Sequence, residues 1–250
     1  RHHPRPPPRS PPPRGAGARG CHRDGGRGVI LEIAALVPGS LRSISGSVFY
    51  SGRAAFTDRA QVYVLGANPG GDPATQRNET VQSHTDFVLK DTPDLWSAYC
   101  DESWAGKPLG QAPLQKRVQY MLSRLGLNPR QVPASNVVFS RSRRLEHLDG
   151  DYGRLADLCW PVHAAVLNLL RPKAVICFGK DAADQVRRRV GANQRIATFT
   201  ESYDDRSWQS SAWCSATGLI IVQLTHPSVA DWTSREADPT EMVRRVLSSC

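Results

Sequence analysis

Two short motifs hold the polar residues of this chain that are best placed for chemistry. Gly66-Ala67-Asn68-Pro69-Gly70 follows the apolar run Val62-Tyr63-Val64-Leu65, and His226-Pro227-Ser228 follows Ile220-Ile221-Val222-Gln223-Leu224. A short apolar run that gives way at once to Gly, Pro and polar residues is typical of a buried strand that ends in a functional loop. Ligands bind at that end of the strands in open α/β sheets. The sequence therefore predicts that both motifs line one ligand site.

A His and a carboxylate from these regions could act together as an acid and a base. His226 with Asp72 would suit a small-molecule hydrolase on an α/β fold. The chain has no G-x-S-x-G nucleophile elbow, the motif that would support this interpretation. A structural interpretation also exists for each motif, because Gly and Pro form ordinary turns after strands and a loop His can be satisfied by backbone groups.

The apolar periodicity around the two motifs predicts strands that alternate with helices. Predicted strands lie at 61–66, within 132–139, at 173–178, around 195–199 and at 219–224, and predicted helices at 113–125, 152–170, 181–190 and 239–248. Residues 29–37 suit either a helix or a strand, and residues 70–110 form a long irregular stretch that is either functional or contains a further element. This order predicts the α/β class, with a three-layer α/β/α architecture and a central, mostly parallel, four-stranded sheet.

Charge and proline content divide the chain into a tail and one domain. Residues 1–28 contain seven arginines against the single Asp24 and carry +6 of the formal net charge of +9. Their seven prolines and few apolar residues predict a disordered tail. This tail either adds sequence-independent attraction to nucleic-acid phosphates or is appended or translated upstream sequence without a role. Residues 29–250 contain no internal repeat and are predicted to form a single domain.

The composition argues against several classes of protein. The six cysteines are scattered without a C-x-x-C pair, which argues against an iron–sulfur cluster and against a zinc ribbon. No apolar run approaches the ~20 residues that cross a bilayer, and the N-terminus lacks the apolar region of a signal peptide. We therefore expect a cytoplasmic protein with free thiols, no metal, no cofactor and no membrane contact.

Four short blocks, taken in order, resemble the uracil-DNA glycosylase superfamily. They are G-A-N-P-G after the first strand, Asn136 followed by Val-Val in the second, A-V-I-C-F-G-K-D-A-A in the third and L-T-H-P-S after the last. The first block is similar to the Asn-bearing form found in the mismatch-specific and single-strand-selective branches. The second and third are closer to a thermostable-type branch that holds an iron–sulfur cluster, but this chain lacks the four clustered cysteines of that branch. The resemblance therefore points to an atypical or separate group.

The resemblance implies a DNA glycosylase that flips uracil out of DNA, hydrolyses its N-glycosidic bond and leaves an abasic site in base excision repair. The implied partner is uracil-containing DNA. The resemblance also implies a monomer, so we expect a monomeric, bacterial-type protein that acts at the nucleoid. A second interpretation on the same fold is a uracil-DNA binding or trapping protein with little or no turnover, because Asn replaces Asp in the first motif.

The same resemblance implies the residues of the active site. Asn68 and His226 are the expected catalytic residues: Asn68 would hold the attacking water, and His226 would donate to uracil O2, where negative charge grows. Asn136 would donate to uracil O4 and accept from N3–H, although an Asn at a strand end can also simply cap a turn. The other expected substrate contacts are Gly66, Ala67, Pro69, Gly70 and Ser228.

Contacts to DNA are implied as well. Arg141, Arg143 and Arg144 would meet phosphates, with a solvated basic turn as the alternative. Pro227 and Trp232 belong to the loop that would enter the minor groove, where Trp232 would either wedge the duplex or pack in the core.

Two further roles have several candidates each. The base-stacking ring is not identified, because Thr80 occupies the position expected for it; the available rings are Phe87, Trp96, Tyr99 and Trp104. A carboxylate or base that assists Asn68 would come from Asp72, Glu79, His84 or Asp86.

Overall fold

The computed structural model describes residues 25–57, 59–148, 151–202 and 207–249. Its strands are β1 (Val62–Gly66), β2 (Ala134–Asn136), β3 (Ala174–Phe178), β4 (Gln194–Thr200), β5 (Gln209–Cys214) and β6 (Ile220–Leu224). They form one sheet in the order β2-β1-β3-β6-β5-β4. Strands β2, β1, β3 and β6 are mutually parallel, and β5 and β4 continue the sheet in antiparallel fashion. The predicted α/β class and mostly parallel sheet are confirmed, with six strands in place of four.

Helices cover both faces of this sheet. They are α1 (Gly25–Ala35), α2 (Val81–Asp86), α3 (Ala98–Asp101), α4 (Pro113–Arg124), α5 (Tyr152–Leu170), α6 (Lys180–Val190) and α7 (Thr240–Ser248). A π-helical turn at Phe87–Asp91 continues α2, and single 3₁₀ turns occupy Gly39–Leu41, Arg53–Ala55, Pro129–Gln131 and Leu145–His147.

The three layers follow from the alternation of side chains along the buried strands. Tyr63 and Leu65 of β1 pack with α1, α5 and α6, whereas Val62 and Val64 pack with α4 and α7. Each helix presents an apolar stripe to its side of the sheet; in α4 that stripe includes Val118, Met121 and Leu122. Because β1, β3 and β6 are buried on both faces, they read in the sequence as nearly continuous apolar runs.

The register of the sheet places the two motifs at the same edge. Gly66 pairs with Asn136 at the ends of β1 and β2, and Phe178 pairs with Leu224 at the ends of β3 and β6. The four strands are parallel, so the loops that follow them all leave the sheet on one side. This is the edge at which ligands bind in open α/β sheets.

Three stretches differ from the sequence-based expectation. Residues 70–110 hold α2, the π-helical turn and α3, so much of the predicted irregular stretch is helical. Strand β5 was not predicted, because its polar beginning gives no apolar run. Residues 29–37, left open between helix and strand, lie largely in α1, which begins at Gly25 inside the predicted tail; residues 1–24 lie outside the described residues.

Candidate active site

The loops at the carboxyl edge of the sheet enclose a cavity of about 1090 Å³. Asn68, Asn136 and His226 all line it, although they lie far apart in the chain. Gly66, Ala67 and Gly70 of the first motif line it as well. The structure thus brings the two motifs and the end of β2 to one concave site, the usual setting of a binding or active site.

The side chain of Asn68 is held in one orientation. Its Nδ2 donates to the carbonyl oxygens of Pro69, at 2.9 Å, and Ser142, at 3.0 Å. Oδ1 receives no hydrogen bond from the part of the chain that the structure describes and remains an acceptor. An amide oxygen can orient a water molecule, but an amide cannot take up the proton of that water as a carboxylate does.

Asn136 lies directly against Gly66. A Cβ atom at Gly66 would come within 2.2 Å of Asn136 Oδ1, so only glycine leaves room for this carboxamide. The Asn136 side chain is buried, and its Nδ2 has no partner among the described residues. An unsatisfied buried donor is costly and needs an explanation, and a bound ligand would provide one. The Tyr50 hydroxyl lies nearby: burial raises the pKa of Tyr50, and the hydrogen bond that the Ser47 hydroxyl donates to it at 3.2 Å partly offsets this.

His226 is arranged as a neutral hydrogen-bond donor. Its Nδ1 accepts from the backbone N–H of Ser228 at 3.1 Å and lies 2.7 Å from the Ser228 hydroxyl. Since Nδ1 is an acceptor, the proton of the neutral ring is carried by Nε2. Burial lowers the pKa of His226, which favours this neutral form at pH 7.

The loop that carries His226 is fixed from two sides. Arg117 of α4 donates to the Pro227 carbonyl at 2.7 Å and to Asp231 at 3.2 Å. Trp232 is fully buried, packs on the ring of Phe178 and donates from Nε1 to the Thr225 carbonyl. The packing of Trp232 corresponds to the core alternative and not to an exposed wedge.

Pro227 is also buried, and the exposed side chains between it and Trp232 are Ser228, Val229 and Asp231. Val229 is the exposed apolar residue of this set, at 54% exposure.

The three arginines after β2 occupy different environments. Arg143 and Arg144 are exposed and form ion pairs with Asp72 and Glu146. The side chain of Arg141 is only 6% exposed, and its guanidinium is hydrogen-bonded inside the protein. The structure therefore places Arg143 and Arg144 where a phosphate could reach them, and Arg141 where it is occupied by protein groups.

The candidate carboxylates and bases separate in the same way. Asp72 and Asp86 lie outside the lining of the cavity. The pKa of Asp72 is lowered, mainly by the hydrogen bond from the Ala74 N–H and to a smaller extent by the charge of Arg143, so Asp72 is a weak base. Glu79 lines the cavity but is paired with Arg141. His84 lines it too, with Nε2 3.9 Å from a carboxylate oxygen of Glu102.

Several residues that line the cavity were not predicted from the sequence. Glu102, Tyr50 and Ser47 line the cavity, and no motif or spacing marks them; Phe178 lines it as well and belongs to the third quoted block, but its position in the cavity was not predicted. Of the four candidate stacking rings, the three that line the cavity are Phe87, Tyr99 and Trp104, whereas Trp96 is buried behind Phe87. Phe87 is the most open of these rings, at 41% exposure. It lies on the π-helical turn, seven residues beyond Thr80, the position at which the resemblance places the stacking ring.

Within the described residues, no group of three or more His, Cys, Asp or Glu side chains is arranged to hold a metal ion. The four cysteines of this part of the chain, Cys100, Cys159, Cys177 and Cys214, are free thiols. Among its helices, none combines the length and apolar character that crossing a bilayer requires.

A comparison with protein families agrees with this geometry. The model of the uracil DNA glycosylase superfamily matches residues 54–247, which is more than half of the chain and includes both motifs and all six strands. No curated protein matches the chain at a significant level. On the family match, this chain belongs to the uracil DNA glycosylase superfamily.

Proposed function

We propose that this chain removes uracil from DNA by hydrolysing its N-glycosidic bond and leaves an abasic site. Membership of the superfamily indicates a DNA glycosylase in general. The observation that carries the specific proposal is the convergence of Asn68, Asn136 and His226 on one cavity, each with a polar atom left for a ligand. The polar atoms of Asn136 and His226 would face the edge of uracil, and Asn68 Oδ1 would face the attacking water.

Recognition of the base would rest on Asn136. Its unpaired Nδ2 can donate to uracil O4, and its Oδ1 can accept from uracil N3–H. Cytosine presents the opposite pattern at these two positions, so both amide atoms would face a like group. A buried site that leaves polar groups unpaired discriminates strongly between such bases.

Departure of the base would be assisted by His226. As the glycosidic bond breaks, negative charge develops on uracil O2, where the Nε2–H of a neutral imidazole can donate. A fixed donor of this kind contributes about 3–4 kcal/mol to the transition state. Because Ser228 holds Nδ1, the ring is oriented before the base enters.

Water would be held by Asn68 Oδ1. The amide cannot remove a proton, so bond cleavage runs ahead of water attack and the base leaves as an anion stabilised by His226. Turnover is then slower than with a carboxylate at this position. We place the extruded base against the ring of Phe87, the most open of the candidate rings in the cavity.

DNA would reach the site with the target base extruded, at a cost of a few kcal/mol. Arg143 and Arg144 offer exposed guanidinium groups to phosphates, whereas the Ser228 hydroxyl stays on His226 Nδ1. Val229 supplies the exposed apolar surface of the loop that would meet the minor groove, in place of the buried Trp232.

The direct test uses an end-labelled oligonucleotide with one uracil, incubated with the protein and then treated with alkali. Strand breakage at the uracil, absent from the same oligonucleotide with cytosine or thymine, supports the proposal. A shifted but unbroken uracil oligonucleotide supports a binding or trapping protein, the alternative that the amide of Asn68 keeps open. No interaction with uracil-containing DNA contradicts both.

Asn136→Ala is expected to lower uracil cleavage by about 10²-fold, because O4 and N3–H lose their partners. Thermal stability should stay the same or rise, since Nδ2 has no protein partner to lose. Single-turnover rates and melting temperatures measure both effects. Asn193→Ala, at an exposed Asn outside this cavity, is the matched control. Full activity of Asn136→Ala would show that another residue reads the base.

A further inference from the structure

Arg141 makes contacts that differ from those of its two neighbouring arginines. Its Nη1 donates to the Gly70 carbonyl at 2.6 Å, and its Nε donates to the Ser45 hydroxyl at 3.2 Å. Its Nη2 forms an ion pair with Glu79. All three guanidinium nitrogens are therefore engaged by protein groups, and the side chain is almost fully buried.

One of these contacts, the bond to the Gly70 carbonyl, ends on the loop that carries Asn68. Gly70 is the last residue of the first motif, and Ser142, which follows Arg141, accepts from Asn68 Nδ2 and donates its N–H to the Pro69 carbonyl at 3.0 Å. The backbone N–H of Arg141 donates to the Ser45 carbonyl at 2.8 Å, which fixes the peptide that links Ser140 to Arg141. Arg141 thus holds both the loop and the segment that the Asn68 amide binds.

We propose that Arg141 is a positioning residue that sets the place of the Asn68 amide oxygen, and that it does not contact DNA phosphate. The inference rests on the proposed function, because it concerns the water held by Asn68. A guanidinium suits this task, since its rigid fork can bind three acceptors in fixed directions. Lysine keeps the charge but lacks the fork, so it cannot replace these bonds.

The two possible roles of an arginine give opposite results on substitution. A phosphate contact tolerates lysine, and its loss weakens DNA binding and lowers the salt dependence of log K by about one. A positioning residue does not tolerate lysine, and its loss lowers the rate of the chemical step while DNA binding is unchanged.

The experiment compares Arg141→Lys and Arg141→Gln with Arg143→Gln, at the exposed arginine two residues later, and with Arg245→Gln, at an exposed arginine on α7. Binding is measured by fluorescence anisotropy at several salt concentrations, on an oligonucleotide with 2′-fluoro-deoxyuridine, which resists cleavage. Chemistry is measured as the single-turnover rate on a uracil oligonucleotide with protein in excess.

Both Arg141 variants are expected to cleave about 10²-fold more slowly, with unchanged binding and salt slope. Arg143→Gln is expected to lower the slope by about one, and Arg245→Gln is expected to match the wild type. Full activity of Arg141→Lys, or a lower salt slope in Arg141→Gln, would overturn the inference.

Hydrogen exchange of the peptide 66–71 supplies a readout that does not need cleavage. Exchange should accelerate in both Arg141 variants and not in Arg143→Gln. A wild type that does not cleave uracil contradicts the proposed function, whereas unchanged exchange in the Arg141 variants contradicts this inference.

Two further variants cover the case in which Arg141→Gln does not fold. Glu79→Gln removes the ion pair from the half-exposed partner and should give a smaller fall in rate with the same binding. In an Asn68→Ala background, Arg141→Lys should cause no further fall in rate, because the residue acts through Asn68. An additional fall of the same size in that background would also refute the proposed role.

Discussion

Gly66 contributes to the cavity by leaving space for the side chain of Asn136 on the neighbouring strand. It pairs with Asn136 across β1 and β2, and its missing Cβ leaves the space that Asn136 Oδ1 occupies. The backbone of Gly66 is not in the left-handed region, so the requirement for glycine here is steric alone. Under the proposed function, recognition of the base would depend at this point on two residues of neighbouring strands.

Gly66→Ala is expected to lower uracil cleavage by about 10–10²-fold while leaving the fold intact. The new methyl group would displace the Asn136 carboxamide, which is the end of a side chain and can turn away. Single-turnover rates and melting temperatures measure the two effects. Gly39→Ala is the control, because a Cβ there meets nothing within 4 Å. Wild-type activity in Gly66→Ala would mean that Asn136 does not contact the base.

At the residue scale, the sequence predicted best where a strand end defines the position. Asn68 and His226 each follow an apolar run closely, Asn136 comes directly before one, and all three line the cavity. Arg141 was expected at a phosphate because Arg143 and Arg144 adjoin it, but sequence does not reveal which of three arginines points inward. Burial of a cation depends on acceptors such as the Gly70 carbonyl and Glu79, which come from distant parts of the chain.

At the element scale, α4 connects two walls of the cavity. Gln115 and Gln119 donate to backbone carbonyls of residues 98–110 at 2.7–2.9 Å. Between these two glutamines in the sequence, Arg117 donates to the Pro227 carbonyl. The helix therefore holds the segment that carries Glu102 and Trp104 and also the loop that carries His226.

Arg117→Ala is expected to loosen the His226 loop and to lower uracil cleavage about tenfold. The reason is the loss of charge-assisted hydrogen bonds, worth roughly 1.5–3 kcal/mol, to Pro227 and Asp231. Hydrogen exchange of residues 226–231 and the single-turnover rate would be measured. Lys116→Ala, at the exposed neighbouring position, should change neither. Equal exchange in both variants would contradict the role assigned to Arg117.

The pattern of apolar residues predicted the long elements and missed the short ones. Helices α4, α5, α6 and α7 have full apolar stripes and were found within one or two residues of their ends. Helices α2 and α3 have six and four residues, too few for a periodic signal, and depend on local capping such as the Thr80–Ser83 pair. For this reason the sequence did not indicate that the π-helical turn brings the Phe87 ring to the cavity.

At the scale of the whole molecule, a buried histidine makes stability depend on pH. His163 of α5 is fully buried; it lies 2.9 Å from the Tyr63 hydroxyl through Nδ1 and 3.1 Å from the Val137 carbonyl through Nε2. Burial lowers its pKa to about 4. The ring is therefore neutral in the folded protein over the range in which it would be protonated in the unfolded chain.

The free energy of unfolding is expected to fall as the pH drops from about 6.5 to 4, by up to ~3 kcal/mol from His163 alone. In this range the unfolded chain binds a proton at His163 and the folded protein does not. Above pH 6.5 neither state binds it, so this group causes no change there. Urea unfolding at a series of pH values measures the effect.

His163→Gln should reduce this pH dependence, because a neutral amide can keep both hydrogen bonds. Some dependence should remain, since burial also lowers the pKa of His226. His147→Gln, at an exposed histidine, should leave the profile unchanged. An identical profile for His163→Gln and the wild type would contradict this explanation.

The cavity is assembled from stretches around residues 47–50, 66–71, 76–105, 136–143, 178 and 226, which meet only once the sheet and its crossover helices are complete. Secondary structure forms from local contacts, whereas these contacts close long loops. Under the proposed function, turnover per mole of protein would consequently report the fraction of chains in which the cavity is complete. A preparation with a native far-UV circular dichroism spectrum can still contain chains in which the cavity has not formed.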